Sequence, residues 1–120
     1  MIMMEIKRGD VYYANLNPII GSEQGGLRPV LVIQNNLGNH YGQTVIVALL
    51  TRQIKNKNLP THIEIEFKKD EFKPMRRSVV LCEQLRTLDK KRLISFIGSI
   101  NKDKMNDVNK GLARSIDLLL

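Results

Sequence analysis

The stretch Gly21-Ser22-Glu23-Gln24-Gly25-Gly26-Leu27-Arg28-Pro29 is where this chain could most readily build chemistry. A glycine-rich loop lets the backbone approach a ligand closely and leaves N–H groups to face an oxyanion or phosphate. It ends in Arg28, whose backbone is stiffened by the following proline. A guanidinium there is a planar, permanently charged fork suited to phosphate oxygens. An ordinary solvated loop has the same composition, so the clamp is one of two readings. A second candidate is Thr51, directly after the apolar run at residues 45–50. A hydroxyl at the end of a buried strand either builds a site at the sheet edge or completes the strand's hydrogen bonding. The third is Glu83-Gln84-Leu85-Arg86-Thr87. Its donors and acceptors could read base edges or form the polar face of a strand.

Other chemistry finds little support. A Ser-His-Asp or Cys-His site needs a histidine, and the chain has only His40, in a polar turn region, and His62, at the start of a strand. Structural or surface roles are expected for both. Cys82 ends an apolar run, where a free thiol is ordinarily buried and inert. Cys82, His40 and His62 are too few and too far apart in sequence for a structural zinc site. Two-metal nucleases cluster carboxylates, whereas here Glu64 and Glu66 share one face of a strand and Asp70-Glu71 is surrounded by lysines.

The elements that must position these residues are mostly strands. Residues 10–16 carry Val11, Tyr12, Tyr13 and Leu16 after a break at Gly9, which predicts a strand. A loop from Asn17-Pro18 extends to Arg28-Pro29, followed by buried strands at 30–33 and 44–50. Residues 35–42 read as a polar turn region and 51–60 as a basic loop. His62-Ile63-Glu64-Ile65-Glu66 alternates, predicting a half-exposed strand. Residues 68–77 are a charged connection, with two short strands expected at 79–81 and 85–88. Residues 93–100 fit strand or helix equally. Met105, Val108, Leu112, Ile116 and Leu119 fall on one helical face, with Asn101 as N-cap and Asp103 suiting the first turn. Gly111 weakens that helix by about 1 kcal/mol. Short strands followed by one amphipathic helix predict a mostly β (α+β) fold, a small barrel or rolled sheet with a C-terminal helix packed on it.

Composition sets the class. At 120 residues, 42% hydrophobic and 26% charged, the chain can form one domain with a core. Its longest apolar run is six residues, far from the ~20 a spanning helix needs. The first residues lead straight into Lys7 and Arg8 with no apolar signal-peptide core. One cysteine cannot form an internal disulfide, as expected of a reducing, cytoplasmic compartment. Nineteen Lys and Arg against 12 Asp and Glu give a net charge of +7, which predicts an anionic partner: nucleic acid, an acidic protein segment or a phosphate-rich surface. With 5% aromatics and no Trp, a base-stacking platform is weakly supported.

Taken together, the segments resemble the MazF/PemK family of bacterial toxin endoribonucleases, and most of all its Gram-positive MazF-type members. The likeness runs in order through Lys7-Arg8-Gly9-Asp10-Val11-Tyr12, the loop at 21–29, Val30-Leu31-Val32-Ile33-Gln34-Asn35, Leu49-Leu50-Thr51, Leu59-Pro60-Thr61-His62 and Glu83-Gln84-Leu85-Arg86-Thr87-Leu88-Asp89. It implies one domain over residues 1–120: an SH3-like β-barrel with a C-terminal helix, assembled as a homodimer. It also implies the toxin of a type II toxin–antitoxin system, a metal-independent and sequence-specific mRNA interferase that arrests growth and needs no cofactor. The family's functional Arg and Thr match Arg28 and Thr51, both intact. Glu23, the one carboxylate in the loop, is the candidate for catalytic support. Lys7, Arg8 and Arg52 are expected to hold the RNA backbone. Ser22, Gln24, Gln53, Glu83, Gln84 and Arg86 are expected to contact RNA, and those with suitable donors and acceptors to read the exposed edges of single-stranded bases. The partner implied besides RNA is a MazE-like antitoxin whose disordered, acidic tail fits the +7 charge. Two other readings keep a similar fold: a gyrase-poisoning toxin of the CcdB type, for which a phosphate clamp is superfluous, and a non-catalytic nucleic-acid-binding barrel. A metal-dependent nuclease is a third.

Overall fold

Alternation along the strands divides the apolar side chains into two cores, one on each face of a single sheet. The computed structural model describes residues 5–18, 20–21, 26–52, 59–66 and 77–118. In chain order the elements are β1 (Asp10–Asn15), β2 (Leu27–Val32), α1 (Asn36–Tyr41), β3 (Thr44–Thr51), β4 (His62–Glu66), β5 (Arg77–Asp89), β6 (Leu93–Ser99) and α2 (Lys102–Ser115). The strands form one six-stranded sheet in the order β4-β5-β3-β2-β1-β6, with antiparallel pairing throughout. Val11, Leu31, Ala48, Leu50, Val80 and Cys82 point to one face and pack with Met105 and Val108 of α2. Tyr12, Ala14, Val30, Val32, Val47, Leu49 and Leu88 point to the other, joined by Ile6, Leu16 and Leu93. The sheet is rolled and barrel-like, as expected, but β4 and β6 remain its two edges, so it is not strictly closed. No helix among the described residues is long and apolar enough to cross a membrane.

Several boundaries differ from expectation, each for a physical reason. β2 begins at Leu27, so Arg28 and Pro29 lie within the strand and not in the loop before it. Leu27 is exposed, and pairing with Asn15 extends the strand there without burial. The polar region at 35–42 contains the short helix α1, with His40 inside it. Asn35 caps it by accepting from Gly38 N at 2.8 Å. Buried Asn39 anchors it, donating to Gln34 O at 2.9 Å and accepting from Gln34 Nε2 at 3.1 Å. Amide hydrogen bonds here do what an apolar stripe usually does. The two strands expected at 79–81 and 85–88 are one strand of 13 residues, β5. Its register breaks once: Leu81 lies opposite Leu49 while Leu85 lies opposite Ala48, leaving residues 82–84 outside the β3 ladder. Residues 93–99 form a strand, β6, along the free side of β1.

Asn101 caps α2 as expected, accepting from Lys104 N at 2.8 Å. The buried stripe is shorter than the periodicity suggests. It runs through Met105, Val108 and Gly111, whereas Ile116 is exposed at the C-cap and Leu119 lies outside the described residues. Gly111 is there for space: a Cβ would stand 2.8 Å from Cys82 Sγ and 3.3 Å from Ile63 Cγ1. Its cost in helix propensity is the condition for α2 to lie close on the sheet.

Candidate nucleic-acid interface

Arg28 and Thr51 stand on neighbouring strands at one end of the sheet. Val30 pairs with Leu49 across β2 and β3. The same register carried two residues further sets Arg28 opposite Thr51. Opposite residues share a face, here that of Val30 and Leu49, so both side chains extend from the rim of the second core. Both are half-buried. Side chains directly opposite start about 5 Å apart, so one phosphate group can meet a guanidinium and a hydroxyl together.

The turn beside Arg28 is braced by other cations. Ala14 of β1 pairs with Arg28, and the chain leaving β1 passes through Asn15, Leu16 and Asn17. Arg86, half-buried on β5, reaches across to donate from Nη1 to Leu16 O at 2.9 Å. Arg92 donates from Nη1 to Asn15 O at 3.0 Å and also to Asn17 O. From the loop side, Gly26 N donates to Asn17 Oδ1 at 2.9 Å and Leu16 N donates to Gly26 O at 2.9 Å. Gly26 has φ of +77°, a left-handed conformation that glycine adopts without strain as the loop turns into β2. Three guanidiniums thus gather around one fixed turn. Arg52, exposed, follows Thr51 directly.

Glu83 and half-buried Gln84 lie in the register break of β5. Glu83 Oε2 is 3.0 Å from His62 Nε2 on β4. Burial alone would raise the Glu83 pKa. Hydrogen bonds from His62, its own backbone N–H and Thr61, with the charge of His62, outweigh that and hold the carboxyl below its ordinary value. Neither His62 nor Arg92 stands out in the sequence as a site residue. His62 begins an alternating strand, and Arg92 ends a run of surface cations; their partners are visible only in three dimensions.

Other expected site residues lie elsewhere. Lys7 and Arg8 precede β1, at the end of the β1–β2 ladder away from Arg28, about 20 Å along the strands. Lys7 is exposed. Arg8 is half-buried and occupied: Nε donates to Ile33 O at 2.7 Å and Nη2 to Asn109 Oδ1 at 2.6 Å, tying the entry of β1 to α2. Burial lowers its pKa. Within one protomer they are not brought to Arg28 and Thr51. Glu64 pairs with Arg77. Among the described residues, no three His, Cys, Asp or Glu side chains gather as a metal site would require. Ser22, Glu23, Gln24 and Gln53 lie outside the described residues.

Comparison with known proteins agrees with this architecture. Residues 7–116 match the PemK-like, MazF-like toxin of type II toxin–antitoxin system family. The chain is 51% identical over 116 residues to the endoribonuclease EndoA of Bacillus subtilis, covering 97% of this chain and 98% of that protein. Among solved structures, MazF from Deinococcus radiodurans superposes with a TM-score of 0.81 at 22% identity, covering 97% of this chain and all of the other, a likeness of fold. An endoribonuclease in complex with its cognate antitoxin, from a mycobacterial species, matches with a TM-score of 0.75 at 25% identity, covering 96% and 98% of the two chains. With the family match spanning nearly the whole sequence and half of all positions shared with a curated relative, the chain belongs to the PemK-like, MazF-like toxins of type II toxin–antitoxin systems.

Proposed function

We propose that this toxin is a metal-independent, sequence-specific endoribonuclease acting on single-stranded mRNA. The observation that carries the reading is the facing of Arg28 and Thr51 on one sheet surface, beside a turn ringed by arginines. The ribose 2′-hydroxyl attacks the adjacent phosphorus while the bond to the 5′-oxygen breaks, leaving a 2′,3′-cyclic phosphate (or, after opening, a 3′-phosphate) and a 5′-hydroxyl. The nucleophile belongs to the substrate, so orientation replaces a bound metal. Charge builds on the phosphoryl oxygens, and fixed donors stabilise it. Arg28 clamps those oxygens and is the candidate to protonate the leaving oxygen. A guanidinium holds its protons too firmly to act as a base. Thr51 hydrogen-bonds the phosphate or orients the 2′-hydroxyl, and Glu23 is the candidate base.

Arg52, Lys7 and Arg8 are assigned to the RNA backbone, and Ser22, Gln24, Gln53, Glu83, Gln84 and Arg86 to contacts with the bases and their surroundings. The separation of Lys7 and Arg8 from Arg28 fits a homodimer in which RNA lies along the interface groove and touches both subunits. The antitoxin's acidic tail competes for the same basic groove. The working compartment is the cytoplasm, where free toxin arrests growth.

The test is cleavage of a long single-stranded RNA in EDTA by wild type and Arg28→Ala, with fragment ends mapped. Discrete cuts with 5′-hydroxyl ends that weaken on the order of 100- to 1,000-fold in the variant are expected. Intact RNA with folded wild-type protein would overturn the reading and bring forward a gyrase-directed or binding-only toxin. Loss of cutting only when EDTA is present would mean a metal-dependent nuclease.

A further inference from the structure

The Thr61–His62–Glu83 cluster takes no part in the cleavage chemistry, yet it belongs to the same surface. Leu81 of β5 lies opposite both Leu49 of β3 and His62 of β4. These three side chains therefore share the face on which Arg28 and Thr51 stand. His62 is two strands across and two residues along from Thr51, roughly 12 Å at the usual strand spacing and rise. A base near the scissile phosphate falls within that reach.

The register break at 82–84 frees Glu83 from the β3 ladder, and its side chain stays 39% exposed while that of His62 is 13% exposed. The His62 ring is thus packed in place and the carboxylate it holds faces outward. Hydrogen bonds from His62 Nε2, at 3.0 Å, and from Thr61 fix the carboxylate. A carboxylate has about four lone-pair sites, so acceptor capacity remains for a ligand. It can only accept, and it repels carbonyl oxygens.

The geometry points to Glu83 as the specificity residue for one RNA base, accepting from an exocyclic amino group (cytosine N4, adenine N6 or guanine N2), with Thr61 and His62 as the residues that position it. Uracil is rejected at that place because its edge sets carbonyl oxygens on both sides of its single N–H. The inference rests on the ribonuclease reading above and deepens it. A carboxylate–amine pairing of this kind discriminates between bases by roughly ten- to a hundred-fold.

The experiment uses the full chain and oligoribonucleotides carrying the mapped cleavage motif, with one exocyclic amino group deleted at a time: adenine to purine, guanine to hypoxanthine, cytosine to 2-pyrimidinone. At one position the deletion should lower kcat/KM of the wild type ten- to a hundred-fold. The same deletion should have almost no further effect in Glu83→Leu, which keeps the bulk but has no acceptor and whose kcat/KM on the parent RNA is itself reduced. His62→Gln, which keeps a donor toward Glu83, should retain most of the discrimination, and His62→Val should lose much of it. If no amino group in the motif matters to the wild type, or if each deletion costs Glu83→Leu as much as wild type, the assignment is wrong and the ribonuclease reading stands. If the wild type leaves the parent RNA intact, that reading fails and this one with it. Should Glu83→Leu fold poorly, Glu83→Ala carries the same comparison.

Discussion

Placing a methyl group on Gly111 tests how tightly α2 is seated. The new Cβ would lie 2.8 Å from Cys82 Sγ and 3.3 Å from Ile63 Cγ1, whereas optimal carbon contacts are about 3.5–4.0 Å. Cys82 is fully buried on β5, with Sγ 3.9 Å from Val108 O, so the sulfur has little room to yield. Replacing a helical glycine by alanine contributes about 1 kcal/mol through propensity, and overpacking a tight core costs about 1–3 kcal/mol. Gly111→Ala should therefore destabilise by about 1 kcal/mol net, opposite in sign to an exposed helix site. Cys82→Ala removes one buried heavy atom and should cost about 1 kcal/mol. Combining them lets the methyl added at position 111 occupy the space left by the sulfur. The double variant should be more stable than the sum of the singles by at least about 1 kcal/mol. Urea denaturation followed by circular dichroism gives each stability by linear extrapolation. Additivity within about 0.5 kcal/mol, or a Gly111→Ala protein more stable than wild type, would refute the steric account.

Arg8→Ala removes two hydrogen bonds from a half-buried guanidinium and should lower stability by about 2 kcal/mol; thermal melts check this, and mapped cut positions should stay the same. Burial, then the charge of Glu83, pushes the Cys82 thiol up to about 12, with Arg114 opposing. It should resist a disulfide-exchange reagent at mildly alkaline pH and react only once denaturant unfolds the chain. The depressed Glu83 pKa means the folded chain binds that proton more weakly than the unfolded one. Its contribution to stability is complete above the ordinary carboxyl range and is lost as pH falls through the lower folded value. The stability gap between wild type and Glu83→Gln should be constant above about pH 5 and shrink on acidification, as melts across pH would report.

The strands that announced themselves in sequence are those whose burial and pattern coincide. β3 is a continuous apolar run with a core on each face, and β4 alternates because one face is open. Where backbone or amide hydrogen bonding replaces apolar burial, the pattern is silent. α1 is held by Asn35, Gln34 and Asn39, and the first residues of β2 by their ladder to β1. Glu83 and Gln84 look like an interruption between two strands because they mark a bend within one. In the candidate site, Arg28 and Thr51 are recognisable by type and neighbours, but their facing depends on the β2–β3 register. The pairing of His62 with Glu83, 21 positions apart, depends on β4–β5 register in the same way.

One sheet with a core on each face also governs how the molecule comes apart. Residues 48 and 50 of β3 point into the core beneath α2, while 45, 47 and 49 point into the other. β5 divides similarly, with Val80 and Cys82 on one side and Leu88 on the other. Removing a central strand exposes apolar groups of both cores at once, so neither core is an independent foldon. Native-state hydrogen exchange should give the amides of β3 and β5 one common opening free energy, equal to that of global unfolding, with the edge strand β6 exchanging earlier. The Arg28–Thr51 pair is then framed by strands that open only when the whole chain does.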